Sequence, residues 1–233
     1  MHNLTRSRLT VPGLLHGFRI CVAAFPGYIV FGMAFGTAAA QKGLTFGQCL
    51  SLSAFVYAGA SQMVALEIWQ QVWSLGTLLT VVTVTAVVNA RFILLGATLQ
   101  PWFATDYKWR SILNLFLLTE ANWLLGSRYY YEGGRDIGVL LGSGILLWIV
   151  WVAATAVGYF AGALVPDPNR FGLDLVMPIF FCTMLVPLWK GARPALPWLV
   201  AALVAIAVHL TMTGYLFIIA GALAGVAAAI VIG

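Results

Sequence analysis

The stretch from Ala195 to Gly233 contains no Asp, Glu, Lys or Arg. It is longer than the roughly 20 apolar residues that cross a hydrocarbon core, and no water-facing surface could be built from it. The rest of the chain is of the same kind. It is 62% hydrophobic and 8% charged, where soluble domains carry about 25% charged residues. In lipid every backbone polar group must be bonded within its own segment, which favours helices. The chain is therefore read as an all-α polytopic integral membrane bundle whose surroundings are the lipid bilayer. The formal charge of +5 then reports loop orientation, not nucleic-acid binding.

Hydropathy gives about eight candidate spans, at 20–41, 46–70, 74–99, 109–127, 136–163, 171–190, 194–210 and 213–232. Together they form one transmembrane domain, 1–233, with a short basic segment at 1–19. No small-residue cleavage site follows the first apolar segment, which is read as a retained span. With the N-terminus inside, the cytoplasmic side receives Arg6, Arg8, Arg19, Arg128, Arg135, Lys190 and Arg193. The outside receives Lys42, Lys108, Arg110 and Arg170. This bias places both termini in the cytoplasm.

Small residues recur at helix-packing spacing: Gly32/Gly36, Gly138/Gly142, Gly158/Gly162 and Gly221/Gly225. Such pairs let membrane helices approach closely. Gly27-Tyr28 is echoed by Gly158-Tyr159, and Phe46-Gly47 by Phe171-Gly172. These echoes suggest two duplicated halves, parallel by span count, with inversion left open by one miscounted span.

Polar residues interrupt the apolar runs. Asn89-Ala90-Arg91 lies within the third span, where an arginine costs about 2.5–3.5 kcal/mol; it is read as partnered in a bundle interior or aqueous cavity, the alternative being a span that ends near Val88 with Arg91 snorkelling to an interface. Glu120 is the carboxylate set deepest in a span. Two readings of it stay open, a carrier of a coupling proton or cation and the ion-pair partner of Arg91. Pro26-Gly27, Gly59, Pro178 and Pro187 interrupt spans, and broken helices in transporters lie near substrate sites. Tyr28, Tyr57, Ser61 and Gln62 coincide with these interruptions, so the segment Tyr57-Ala58-Gly59-Ala60-Ser61-Gln62 is read as a loosened helix. In that reading Gly59 frees the backbone.

Cys21, Cys49 and Cys182 are scattered, as are His2, His16 and His209, so no metal and no cofactor is expected. No phosphate-binding loop, zinc-protease helix or nucleophile elbow is present, and an enzyme is not expected.

These residues carry a likeness. The chain resembles the AzlC family through Tyr57-Ala58-Gly59-Ala60-Ser61-Gln62, through Gly27-Tyr28, Phe31-Gly32 and Phe35-Gly36, and through Asn89-Ala90-Arg91 with Leu94 and Gly96. Leu118-Thr119-Glu120, Leu173-Asp174 and Met177-Pro178 continue it. The likeness runs from about Gly17 to the C-terminus. It implies the large subunit of a bacterial inner-membrane exporter of branched-chain or related neutral amino acids. Such a permease is driven by a gradient and works with a small AzlD-like membrane subunit, and the pair can form a higher oligomer. On this reading Tyr28, Tyr57, Gly59, Ser61, Gln62, Asn89, Arg91, Met177 and Pro178 bind the solute, and Glu120 with Arg91 serves coupling or ion pairing. Phe92 stands where the family usually has His, and Thr119-Glu120-Ala121 where it has Thr-Asp-Glu. Those differences put the coupling in question. The alternatives are a channel or ion-coupled carrier for another solute, and a structural subunit whose partner holds the site.

Overall fold

A computed structural model describes residues 8–69, 74–104, 106–164, 191–212 and 216–232, with Cys182, Val186 and Trp189 between them. The described residues are almost wholly helical, joined by one isolated backbone bridge, Arg8 to Asp136. Three stretches among them, Val11–Gln41, Leu75–Thr98 and Gly138–Gly162, are long and apolar enough to cross a membrane. Shorter apolar helices accompany them. The sixth candidate span, 171–190, falls almost entirely outside the described residues, and so does the second half of the Phe46-Gly47 echo.

Contacts divide the chain into two compact units, one of Met1–Trp69 with Val88–Leu173, the other of Gln70–Val87 with Asp174–Gly233. The first unit is built on α1 (Val11–Cys21) and α2 (Phe25–Gln41), continued through a 3-10 turn at Val22–Ala24. The first span thus begins near Val11, earlier than hydropathy suggested, because Thr10 caps the helix through its hydroxyl and Pro12 fits the first turn. After α3 (Phe46–Ser51) and α4 (Gly59–Glu67), α5 (Leu75–Asn89) belongs to the second unit as far as Val87, and α6 (Arg91–Thr98), α7 (Gln100–Phe103), α8 (Lys108–Phe116) and α9 (Glu120–Tyr131) return to the first. The unit closes with the long α10 (Gly138–Ala163). The candidate spans 46–70 and 109–127 are each two helices, separated at Tyr57–Ala58 and at Leu117–Thr119.

The α1–α2 helix and α10 run side by side in the same direction. Asp136 joins their starts: its carboxylate accepts from the Thr10 amide at 3.3 Å, from the Thr10 hydroxyl, and from the Gly138 amide at 2.8 Å. Above that point the backbones nearly touch. A Cβ on Gly17 would lie 2.3 Å from the Val139 carbonyl oxygen, and one on Gly142 2.3 Å from that of Leu14. Farther along, Gly36 faces the Thr155 carbonyl and Gly158 that of Met33, each at 2.1 Å. The expected packing role of these Gly-x-x-x-Gly pairs is met here, since only hydrogen fits. Gly13, Gly17, Gly32 and Gly36 recur in order as Gly138, Gly142, Gly158 and Gly162.

In the second unit α11 (Leu196–Thr211) and α12 (Leu216–Ile232) pack antiparallel. Gly221 meets Ala201 and Ala205, and Gly225 meets Ala201 and Pro197. Their outward faces, with Leu203, Leu210, Leu223 and Ile230 exposed, form an apolar surface suited to lipid.

Candidate functional site

The site is built around two interrupted helices of the first unit. α3 begins at a reciprocal capping box between Thr45 and Gln48. It loosens into a π-helical turn at Leu52–Val56, which leaves carbonyls needing donors. Trp148 supplies one, donating its indole N–H to the Ala54 oxygen at 3.0 Å. The turn ends at Tyr57, which is left-handed at φ 46, ψ 41. For a non-glycine residue that costs about 1–2 kcal/mol. Ala58 lies outside the helical region, at φ −137, ψ 84, and α4 starts at Gly59. The backbone freedom expected of Gly59 is thus exercised two residues earlier, by Tyr57. Gly59 instead supplies room, because a Cβ there would come within 2.6 Å of the Phe31 ring and 2.8 Å of the Trp151 ring.

The second interruption follows α8. Thr119 is extended and caps α9 in a box with Asn122, whose Oδ1 accepts from the Thr119 amide at 2.7 Å. The Asn122 Nδ2 donates to the Leu117 oxygen at 2.9 Å, so one buried amide fixes both sides of the break. Glu120 is the first residue of α9, where the helix dipole favours a carboxylate.

Tyr28 of α2 joins the two breaks. Its hydroxyl donates to Thr119 Oγ1 at 2.7 Å, and its ring meets Trp151 edge-on with centroids 6.2 Å apart. The Tyr57 hydroxyl is near enough to Tyr28 to interact with it, without meeting hydrogen-bond geometry. Trp151 also packs against Phe31, at 5.3 Å between centroids, and completes an aromatic wall beside Gly59.

Polar side chains line the start of α4. Ser61 donates to the Ala58 oxygen at 2.9 Å and receives the Asn89 Nδ2 at 3.1 Å. Gln62 donates to Ser53 Oγ at 3.4 Å, and Ser53 shares a hydrogen bond with Thr155 at 2.9 Å. Arg91 Nε lies 2.9 Å from Glu120 Oε1, with side chains 35% and 42% exposed. The contact is close, but the N–H is not aimed along it, and both atoms lack a geometrically sound hydrogen bond. The two side chains are thus in contact, and the pair is half-exposed. Among the described residues, Tyr57 Oη, Gln62 Oε1, Asn89 Oδ1 and Trp151 Nε1 are buried without a hydrogen bond. Buried polar atoms are normally satisfied, and these four lie on or beside the start of α4.

The structure therefore brings Tyr28, Tyr57, Gly59, Ser61, Gln62 and Asn89 into one linked neighbourhood. The pair Arg91–Glu120 enters it through Thr119. Met177 and Pro178 lie outside the described residues. Ser53, Asn122, Trp148, Trp151 and Thr155 were missed. Only Asn122 had a local signal, a Thr-x-x-Asn spacing that reads as a capping box. No group of three His, Cys, Asp or Glu that could hold a metal occurs among the described residues.

The AzlC family model (AzlC protein) matches residues 23–165, which include both breaks. Two related chains are described as uncharacterized membrane proteins. The one from Helicobacter pylori (strain J99) is 27% identical, covering 85% of this chain and 86% of its own length. The one from Archaeoglobus fulgidus is 28% identical, covering 97% and 96%. No solved structure matches. With its apolar helices, its interrupted pair and a family match across the whole site, the chain is a membrane protein that belongs to the AzlC family.

Proposed function

We propose that the chain is the large subunit of a secondary transporter that exports branched-chain or related neutral amino acids across the bacterial inner membrane. It works with a small AzlD-like membrane partner, is driven by a gradient, and is not an enzyme. Both termini lie in the cytoplasm. The observation that carries this reading is the meeting of two interrupted helices at Tyr28, with unbonded polar atoms beside an aromatic wall. Irregular backbone within a membrane is tolerated where it lines a cavity, and transporters place small solutes there. Tyr28, Tyr57, Gly59, Ser61, Gln62 and Asn89 surround the solute. Arg91 and Glu120 hold each other beside the second break.

The test is amino acid efflux from cells loaded with leucine- and valine-containing dipeptides, with and without this chain and its small partner. Faster export that collapses with the proton gradient supports the reading. Unchanged export, with both proteins present in the membrane, overturns the branched-chain assignment.

A further inference from the structure

We infer that the first turn of α4 holds a zwitterionic headgroup, with the solute carboxylate on the amide groups of Gly59 and Ala60 and its ammonium on the carbonyl oxygens of Asn89 and Gln62. The inference rests on the transport reading above and assigns atoms within the same site.

The donor half comes from the two helix starts. α9 has a side-chain cap, a capping box and a glutamate in its first turn. α4, by contrast, has no side-chain cap and no acidic residue there. Its leading amide groups have no partners inside the helix, and the dipole leaves partial positive charge at that end. Arg91 is not free to replace them, because its guanidinium already faces Glu120 at 2.9 Å.

The acceptor half follows from counting protons. Ser61 has one hydroxyl proton, and it goes to the Ala58 oxygen. The 3.1 Å contact between Ser61 and Asn89 must therefore be donated by the Asn89 amide nitrogen. That fixes the amide and leaves Oδ1 unbonded among the described residues. Gln62, 1% exposed, spends its nitrogen on Ser53 and leaves Oε1 unbonded in the same way. Helical side chains lean toward the N-terminus, which carries Gln62 toward the bare turn. A lone anion would satisfy the amides and strand two carbonyls, and a lone cation would do the reverse. A zwitterion satisfies both, and Phe31 and Trp151 beside Gly59 receive its apolar side chain.

The test is displacement of radiolabelled leucine from membranes containing the full chain and its small partner, by leucine and by leucinamide, which keeps the ammonium but has no carboxylate. The preference for leucine is a ratio within one preparation and does not depend on how much protein folds. The wild type is expected to prefer leucine by roughly tenfold or more, the range of a charge-assisted hydrogen bond. Ala58→Asp places a resident carboxylate at the cap, and the preference should fall by roughly tenfold. Gln62→Glu, nearly isosteric, carries the same charge to the turn and should lower it too. A preference unchanged in both variants overturns the inference alone. A preference that falls in Arg91→Gln and in neither α4 variant moves the carboxylate to Arg91 and also overturns it. Wild-type membranes that bind no α-amino acid overturn the transport reading and the inference with it.

Discussion

Arg91 and Glu120 face each other at 2.9 Å across two helices, one at the start of α6 and the other at the start of α9. Removing either leaves the other charge without its partner. Arg91→Ala and Glu120→Ala should each lower the melting temperature in detergent. The double variant should lose less than the two single losses together, by about 0.5–1 kcal/mol for a half-exposed pair. Strictly additive losses would show that the pair is not coupled.

The two tyrosines at the breaks should behave differently. Tyr28→Phe removes a hydrogen bond to the buried Thr119 hydroxyl and should cost about 1 kcal/mol. Tyr57→Phe removes a hydroxyl that makes no hydrogen bond among the described residues. It should leave thermal stability within about 0.5 kcal/mol of wild type while weakening solute binding. Equal losses of stability in the two variants would contradict this assignment.

The glycines make a contrasting pair as well. Gly36→Ala forces α2 away from the Thr155 carbonyl and should cost about 1–3 kcal/mol through overpacking. Gly27 has nothing within 4 Å of its missing Cβ. Gly27→Ala should be neutral or slightly stabilising, since alanine is the better helix former. Thermal melts of both variants check the difference.

Asp136 accepts from two backbone amides and one hydroxyl at the joined starts of α1 and α10. Asp136→Ala should cost about 2–3 kcal/mol, as several charge-assisted bonds are lost together. It should also speed amide hydrogen exchange at Gly138 more than at Gly158. Equal exchange at both would contradict the joining role.

Much of this architecture could be read from the chain because membranes impose simple rules. The charge-free run after Ala195 required lipid, and the Gly-x-x-x-Gly pairs marked helix contacts that the structure contains. The helix breaks were half legible. Gly59 pointed to the right segment, but the left-handed residue is Tyr57, and nothing in a tyrosine announces positive φ. The break at Leu117–Thr119 has no proline or glycine, so apolar periodicity ran straight through it. It is held by Asn122, whose capping role depends on side-chain geometry. Trp148 and Trp151 read as ordinary apolar residues of α10, because their part in the site arises only from the parallel packing of α10 on α2. Arg91 and Glu120 were visible as costly residues, but their pairing needed the fold.

The central claim is that the start of α4 is where a neutral amino acid sits during transport. Leucine counterflow into proteoliposomes containing the full chain and its co-purified small partner tests it most directly, comparing wild type with Gln62→Ala and Asn89→Ala. The account predicts saturable counterflow in the wild type. In both variants the half-saturating concentration should rise roughly tenfold. Wild-type half-saturation in both variants, alongside robust flux, would contradict it.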